Sequence, residues 1–355
     1  MPGYTEVADQ DVRSLRTRYC RLRTQDGEPV AELEAVSFRM RFGAVAVPVE
    51  GIGGVETEPR FRRQGHMSDL LRRALTGMAQ RVDVAFVSDG IEGVYERFGF
   101  AGAVAEGGLT VPVRNVESVT GADLEGDVPA GTVADLPAMI RLYNTAHAQR
   151  PWTHERAPGW NRLVPQSTWK PGSRTLVLPT GGYAVLEGRA FGDPLGTVTV
   201  DEAVAEDAAA ARHLLVALAR LCWQRRLAEF TIREPADGLI GRVARRMGCT
   251  YRQSTPPSGG MMAAILNRAP LLDRLEPELR RRAGQSHDEA FAALRRGTLI
   301  PDDRTLIRLL LGHWSLKDAY DTSIPAPYQD ICTAWFPGGG TPTLPAPYAH
   351  RLDRY

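Results

Sequence analysis

Several features that would mark a specialised class of protein are missing from this sequence. Its four cysteines are far apart and form no C-x-x-C pair, which argues against a disulfide framework and a zinc site, so we expect buried thiols. No apolar run reaches the roughly 18 residues that would cross a bilayer. The polar, acidic segment 1–10 has neither the basic nor the apolar region of a secretion signal. We therefore expect a cytoplasmic protein without a membrane partner.

An excess of one charge is also missing. Basic residues number 43 and acidic residues 42, so no overall field would attract nucleic acid or an anionic membrane. Only Lys170 and Lys317 are lysines, and the dominance of arginine is best explained by a compositional bias. We expect binding at local sites, with no nucleic-acid partner. No spacing of His, Cys, Asp or Glu suggests a metal site.

The length of 355 residues predicts two or three domains. Residues 1–112 form the first: alternating apolar residues over 30–57 predict a β-meander, and the apolar stripe from Met67 predicts an amphipathic helix. A buried strand at 82–87, a helical turn at 94–97 and another strand complete this block. Residues 113–131 lack sustained periodicity and are predicted to be a linker.

Residues 132–268 repeat the same order of elements, which predicts a duplicated fold. The long helix predicted at 207–225 follows an acidic segment that contains Asp201, Glu202 and Glu206, where a diphosphate would be repelled. We therefore predict that this domain lacks cofactor binding. Residues 269–355 contain helical patterns followed by a Pro/Gly-rich stretch, and form the third predicted domain.

The most informative motif is the loop between the meander and the first helix, where Arg62 and Gly65 have the spacing R-x-x-G. Free backbone N–H groups and the positive end of the dipole make a helix start suitable for a diphosphate, and a glycine permits its close approach. This is the spacing of acyl-CoA transferases. By itself it is equally compatible with an arginine-rich loop of no function. The Walker A and Rossmann fingerprints are absent.

A second motif is the segment from Gly93 to Phe100, six residues after the buried strand. A tyrosine on such a turn can protonate a departing thiolate, because a phenol with a pKa near about 10 is an adequate donor to a thiol near about 8.5. By itself, Tyr95 is better explained as a packing residue. The two motifs at this spacing together favour catalysis.

With these motifs the sequence resembles the GCN5-related N-acetyltransferases (GNAT), and within them the tandem-domain branch of the enhanced intracellular survival protein family. The resemblance includes E-P-x-x-R-R-x-G, G-x-Y-x-R-F-G-F, and the aromatic segments Trp335–Pro337 and Leu352–Tyr355. It implies an α/β fold with two tandem acetyltransferase-type domains, the second without cofactor, and a small α+β sterol-carrier-like domain at 269–355. It also implies a homo-oligomer.

The resemblance further implies acetyl-CoA as co-substrate, no metal, Tyr95 as general acid and the α-carboxylate of Tyr355 as base. The residues expected to bind acetyl-CoA are Val55, Glu56, Thr57, Arg62, Arg63, Gln64, Gly65, His66, Met67, Ser68 and Ser88. A serine hydrolase is improbable, because Ser68 and Ser88 lack a G-x-S-x-G setting.

The acceptor is expected to be a small-molecule amine. Asp89, Glu92 and Glu96 could gather near the reaction centre and favour a cationic amine such as an aminoglycoside or polyamine, or could equally form a solvated helix face. The alternative function is a non-catalytic ligand-binding protein with a degenerate acetyltransferase fold. A cluster formed by His147, Trp152, His154 and Trp160 could line a pocket, but surface packing is the favoured interpretation.

Overall fold

The computed structural model describes residues 2–8, 16–91, 93–158, 160, 175–187, 198–255, 260–284 and 288–339. The strands are β1 (Gly3–Ala8), β2 (Thr17–Arg23), β3 (Pro29–Phe42), β4 (Val45–Thr57), β5 (Val84–Gly90), β6 (Ala101–Gly102), β7 (Glu106–Pro112), β8 (Thr175–Leu178), β9 (Gly182–Leu186), β10 (Val198–Ala205), β11 (Glu229–Ile232), β12 (Thr250–Ser254) and β13 (Gly260–Ile265). The helices are α1 (His66–Met78), α2 (Val113–Thr120), α3 (Leu136–Ala146), α4 (Ala208–Gln224), α5 (Leu239–Met247), α6 (Arg268–Ala283), α7 (Asp288–Arg295), α8 (Asp303–Leu311) and α9 (Gln329–Trp335). None of the described helices is long and apolar enough to cross a membrane.

The strands form two sheets. The first sheet has the order β1-β2-β3-β4-β5-β13-β6, and the second has the order β12-β7-β11-β10-β9-β8. In each sheet one pair of neighbours is parallel, β4 with β5 and β10 with β11, and the other pairs are antiparallel. The predicted meander, the helix that follows it and the next strand are confirmed as β3, β4, α1 and β5.

The two sheets exchange strands. Strand β7, predicted within the N-terminal block, pairs with β11 and β12 of the second sheet. Strand β13, which begins 148 residues after β7 ends, pairs with β5 and β6 of the first sheet. Each sheet is therefore completed by the other half of the chain, an arrangement that periodicity within one block does not reveal.

The segment 113–131, predicted to be a linker, differs from that expectation. Helix α2 occupies its first part and buries Val113 and Val116 in the core of the second sheet, together with Leu124. The helix is only eight residues long, so its two buried valines are too few to stand out as a period. This segment is part of the packing of the second sheet.

The two faces of the first sheet are covered by different parts of the chain. Helix α1 packs on one face through Leu70, Leu71, Ala74 and Met78. On the other face, α6 to α9 share one hydrophobic cluster with the sheet. Helix α6 begins three residues after β13 ends, so the chain turns back directly onto the sheet.

The small α+β domain predicted at 269–355 is not what the described part of this segment shows. Between 268 and 339 the described residues form helices and connecting turns, without a strand. Their apolar side chains, such as Leu272 and Trp335, belong to the same core as Phe86 of β5. This helical segment is thus a wall of the first sheet.

The loop containing Trp152 and His154 covers the free edge of β3 beyond its pairing with β2. Arg41 N–H donates to the carbonyl of Thr153 at 2.9 Å, and Trp152 N–H donates to the carbonyl of Arg41 at 2.9 Å. The His154 ring stacks on Phe38 with centroids 3.9 Å apart. The expectation of surface packing is therefore wrong for this loop, because Trp152 and His154 are both buried.

Candidate active site

The first sheet opens into a cleft where β4 and β5 diverge. These parallel strands pair over Glu50–Ile52 and Ala85–Val87, and both continue beyond the last pair, to Thr57 and Gly90. Open α/β sheets bind their ligands at the carboxyl ends of parallel strands where the order changes. The ends of β4 and β5 therefore form a candidate ligand cleft.

A bulge bends β4 at this cleft. Gly53 and Glu56 of β4 oppose Glu34 and Glu32 of β3, so two residues of β4 stand opposite one residue of β3. Gly54, inside the bulge, has φ +55°, a left-handed conformation that a glycine adopts without strain. The bulge changes the direction of the last residues of β4, Val55 to Thr57, beside the diverging strands.

The start of α1 lies after a short loop from β4. Gly65 occupies the N-cap with φ +83°, and no side chain caps the first N–H groups of the helix. A Cβ added at Gly65 would meet no described atom within 4 Å, so the space in front of the helix is open. Open N–H groups, the helix dipole and free space together suit an anionic group such as a diphosphate.

Two hydrogen bonds hold the loop that leads to this helix. Arg62 Nε donates to the carbonyl of Thr57 at 3.0 Å, and Gln64 Nε2 donates to the carbonyl of Arg60 at 3.1 Å. Arg63 adopts φ +60°, which turns the chain sharply before Gly65. The Arg62, Arg63 and Gln64 side chains are exposed. The loop therefore presents two guanidinium groups near the helix start.

Tyr95 is at the beginning of a single 3₁₀ turn, Glu96–Phe98, that follows β5. It is 4% exposed and meets Phe100 edge-on, with ring centroids 5.8 Å apart. An ordinary phenol is already protonated at neutral pH, and burial raises the pKa of Tyr95 further. A protonated phenol is the form required of a proton donor.

The predicted residues converge on one side of the first sheet. Tyr95 and Val87 belong to the core beneath α1, and Val55 and Met67 pack against that core. Ser88 is buried one residue beyond the last paired residue of β5, Val87. His66, Ser68 and Gly65 form the start of α1, while Glu56 and Thr57 end β4. Tyr355 and Glu92 lie outside the described residues, as does the side chain of Asp89.

One residue near this site was not found from the sequence. Arg308 of α8 donates from Nε to the carbonyl of Gly102 at 3.0 Å and is close enough to Glu96 to interact electrostatically. Burial nevertheless lowers the pKa of its guanidinium. Arg308 is over 200 residues from Glu96, and no spacing signal could connect them. It shows that α8 lies beside the Tyr95 turn.

The second sheet also contains one parallel pair of strands, and carboxylates lie near the end of that pair. Strands β10 and β11 pair over Val198–Val200 and Phe230–Ile232, and β10 has a register irregularity just after Val200. Glu234 Oε1 accepts a hydrogen bond from Ala203 N–H at 3.2 Å. At the start of α4, the side chain of Asp207 accepts from Ala210 N–H at 2.8 Å. A carboxylate therefore caps the helix start that is open in α1.

A buried ion pair stabilises the same region of β10. Arg156 Nη2 contacts Glu202 Oε2 at 2.6 Å, and the Tyr183 hydroxyl donates to Glu202 Oε1 at 2.5 Å. The guanidinium is also stacked between two rings, 3.4 Å from the centroid of Tyr143 and 3.9 Å from that of Trp160. Such a buried pair is tolerated because both charges are hydrogen-bonded. The predicted acidic residue Glu202 thus has a structural partner.

Comparison with known proteins assigns the N-terminal region. Residues 5–103 match the family model for the acetyltransferase (GNAT) domain. This chain carries a GNAT acetyltransferase domain. The match includes the cleft, the start of α1 and Tyr95, and gives the GNAT region the activity class of an acyltransferase. No curated protein sequence matches the chain.

Solved structures share the fold of the chain beyond the GNAT domain. A GCN5-related N-acetyltransferase from Kribbella flavida has TM-score 0.66 and 16% identity, covering 95% of this chain and 87% of that one. Eis1 from Mycobacterium abscessus has TM-score 0.64 and 17% identity, covering 94% and 90%. A probable N-acyltransferase from Enterococcus faecalis has TM-score 0.54 and 17% identity; it covers 73% of this chain, which spans 64% of that protein's length.

Proposed function

We propose that the protein is an N-acetyltransferase that transfers the acetyl group of acetyl-CoA to a small-molecule amine. The observation that carries the proposal is the open, uncapped start of α1 at Gly65, beside the diverging ends of β4 and β5. A pyrophosphate fits this start because its charge complements the N–H groups and the dipole. The family match over residues 5–103 supports the same chemistry.

The contacts with acetyl-CoA follow from this position. His66, Met67 and Ser68 offer backbone N–H groups at the start of α1, and Arg62 and Arg63 offer positive charge from the loop. The residues that end β4 and the buried Ser88 of β5 lie on the two sides of the cleft. When bound, acetyl-CoA supplies an activated thioester whose carbonyl carbon accepts a nucleophile.

Tyr95 is the proposed general acid. The amine nitrogen forms a bond to the acetyl carbon, the carbon–sulfur bond breaks, and the sulfur leaves with the electron pair of that bond. The phenol of Tyr95 gives its proton to the sulfur, and the amine loses its proton to a base. The phenol is in its donor form at neutral pH, because its ordinary pKa is near about 10 and burial raises it further.

A charge placed at Gly65 tests the cofactor site. Gly65→Asp should raise the Kd for acetyl-CoA at least roughly 100-fold, because its carboxylate would face the diphosphate at the helix start. Gly65→Asn is the matched control, since asparagine has nearly the same shape, tolerates positive φ and carries no charge. Calorimetry on both variants should show a much larger loss for aspartate. If the two variants bind acetyl-CoA with equal affinity, the diphosphate does not bind at this helix start.

The acceptor is proposed to be a cationic amine. Glu96 contributes negative charge to the Tyr95 turn, and its side chain is partly buried. Release of CoA thiol should be measured with a panel of aminoglycosides, polyamines and neutral aromatic amines. Faster release with the cationic compounds supports the proposal. Acetyl-CoA binding without release to any amine would instead favour the non-catalytic ligand-binding function.

We propose that the second sheet is a duplicated acetyltransferase-type domain that does not bind cofactor. Support comes from its three-residue parallel pair, its irregular β10 and its capped helix start at Asp207. The domain limits 1–112, 132–268 and 269–355 stay predictions, as does the sterol-carrier-like character of the last. Homo-oligomer formation also stays a prediction, which light scattering at micromolar concentration can test.

The role of Tyr355 as base also remains a proposal that rests on the resemblance. Adding residues after Tyr355 should lower kcat at least roughly tenfold if its α-carboxylate takes part, while the affinity for acetyl-CoA stays unchanged. Full activity of an enzyme with such an extension would contradict the role.

A further inference from the structure

A second cavity lies at the diverging end of the second sheet. Its volume is about 630 Å³, and it is enclosed by the end of α3, the end of β10, and α5 with the loop before it. This is within the size range of small-molecule sites. The position corresponds to that of the acetyl-CoA cleft in the first sheet, at the carboxyl ends of a parallel pair.

Acetyl-CoA does not fit this second position. Asp207 caps the start of α4, and Glu234 already accepts the hydrogen bond of Ala203 N–H. Glu206, immediately before Asp207, adds a further carboxylate to the wall. At the start of α4 a nucleotide diphosphate would meet the Asp207 and Glu206 carboxylates, where the start of α1 offers open N–H groups; an anion is therefore excluded from this end of the cavity.

The wall formed by α5 is cationic. Arg242 and Arg245 are three residues apart on one face of the helix, and both line the cavity. Arg242 Nη1 donates to the backbone carbonyl of Asp237 at 2.6 Å, which anchors its guanidinium at the cavity. Neither arginine forms an ion pair with a carboxylate of the described residues.

The acidic groups on the wall do not cancel this charge. Glu206 is exposed to solvent, and its Oε2 atom lies close to Gly181. The Asp237 carboxylate is held by Arg150, whose Nη1 lies 3.0 Å from Oδ1, and Arg150 is 7% exposed. Burial raises the pKa of Glu234 to about 8, which leaves this carboxyl largely neutral at pH 7. The opposite wall contains Ala203 to Ala205, and Leu239 and Ile240 add apolar surface.

We propose that this cavity binds a small organic anion, with a carboxylate or phosphate group held by Arg242 and Arg245 and an apolar body against the wall of β10. The guanidinium groups can form charge-assisted hydrogen bonds to either kind of anion. The site is separate from the acetyl-CoA cleft and belongs to the half of the chain whose cofactor position is closed.

The test uses the full chain with benzoate and phenyl phosphate as probes and benzyl alcohol as their neutral counterpart. Titration calorimetry at low ionic strength should show saturable binding of at least one anion and much weaker binding of the alcohol. The stronger anion identifies the group that the site prefers. Failure of both anions to bind, or equal binding of the alcohol, would overturn the proposal.

Substitutions of the two arginines test whether the anionic probe binds in this cavity. Replacing both residues, Arg242→Ala and Arg245→Ala, should weaken binding at least about tenfold, because the charge-assisted hydrogen bonds are lost. Arg246→Ala is the matched control: Arg246 is exposed on the same helix but does not line the cavity. Unchanged affinity of the double variant would overturn the proposal.

The Gly65→Asp variant separates this proposal from the proposed function. The new carboxylate lies at the start of α1 in the first sheet. The variant should therefore weaken acetyl-CoA binding and leave binding of the anionic probe unchanged. If Gly65→Asp also removes anion binding, the probe occupies the acetyl-CoA cleft and the second site does not exist. If the variant loses neither ligand, the acetyl-CoA assignment fails while the second site stands.

Discussion

At the scale of single residues, Tyr95 combines two properties that the sequence could not show together. It is buried with Phe100, as a packing residue would be, and its phenol lies on the turn after β5, as a catalytic residue would. The motif predicted the residue, but its burial and the resulting raised pKa depend on α1 and the sheet. The two roles are compatible because they belong to different parts of the side chain: the ring packs against Phe100, and the hydroxyl is the proposed proton donor.

Removing this hydroxyl should separate the two roles. Tyr95→Phe should lower kcat roughly 10²-fold and leave the Kd for acetyl-CoA and the thermal stability nearly unchanged, because the ring still packs. Tyr320→Phe is the control, since Tyr320 is 91% exposed. Steady-state kinetics at saturating acceptor would measure the effect. An unchanged kcat would show that Tyr95 has a packing role and is not the general acid.

Glu234 should make the stability of the protein depend on pH. Burial raises its pKa to about 8 in the folded state, above its ordinary value of 4.5. Between these pH values the folded state binds a proton that the unfolded state lacks. The stabilisation is therefore present below pH 4.5 and is lost as the pH rises through 8.

The variant Glu234→Gln should remove this dependence. Between pH 5 and pH 8 the native protein should lose on the order of a few kcal/mol more unfolding free energy than the variant does. Urea unfolding of both proteins at both pH values measures this difference in unfolding free energy. Titratable groups that the two proteins share contribute equally and cancel. His313, whose pKa burial lowers to about 4, is one such group. Parallel pH curves for the two proteins would show that Glu234 is ionised when folded.

At the scale of elements, the two long helices that follow diverging strands differ at their first residue. Gly65 leaves the start of α1 open, whereas Asp207 caps α4 with its own carboxylate. This contrast could be predicted from the sequence, because glycine and aspartate have opposite effects at an N-cap that is to receive an anion. The contact of Glu234 with the end of β10 could not be predicted, because Glu234 and Ala203 are far apart in sequence and no local pattern connects them.

Removing the cap of α4 should affect stability and not cofactor binding. Asp207→Ala should cost about 1 kcal/mol of unfolding free energy, the usual loss for a side-chain N-cap. It should create no second acetyl-CoA site, because Glu206 and Glu234 remain. Denaturant unfolding and calorimetry measure the two effects. A stoichiometry of two acetyl-CoA molecules per chain in the variant would show that the cap alone had closed the site.

Element boundaries were predicted well where one helix or strand carried its own period. The stripe of Leu70, Leu71 and Ala74 predicted α1 because a long amphipathic helix shows its buried face in the sequence. The two-residue strand β6 and the eight-residue helix α2 carry no such signal. Their positions are set by the sheets against which they pack, which a local pattern does not contain.

At the scale of the whole molecule, strand exchange decides how the chain can be divided. The order β5-β13-β6 places β13 inside the first sheet, and the order β12-β7-β11 places β7 inside the second. Composition and periodicity indicated a break between the blocks, since they report on neighbours in sequence. The pairing of Met262 with Val87 and with Gly102 joins residues that are 160 or more positions apart in the sequence.

A chain cut after residue 112 should therefore fail to fold. It would keep the cleft, α1 and Tyr95, but β5 would lose its partner β13, and the sheet face beneath α6 to α9 would be exposed to water. Unpaired strand edges and a large apolar face both promote aggregation. Circular dichroism and light scattering should show an unfolded or aggregated product, although the family match ends at residue 103.

The full chain offers a sharper form of the same test. Ala263 lies in the middle of β13, is fully buried, and pairs with Phe86 of β5 and Ala101 of β6. Ala263→Asp should destabilise the protein by about 4 kcal/mol or more, because it buries a charge in the core. Acetyl-CoA affinity should fall with the folded fraction. Asp288→Ala, at the exposed first residue of α7, removes only a surface ion pair with Arg280 and should change both quantities little. Calorimetry of the native chain should show one cooperative unfolding transition, because neither sheet is complete without the other half. Two well-separated transitions, with acetyl-CoA raising only the first, would mean that each half folds alone despite the exchanged strands.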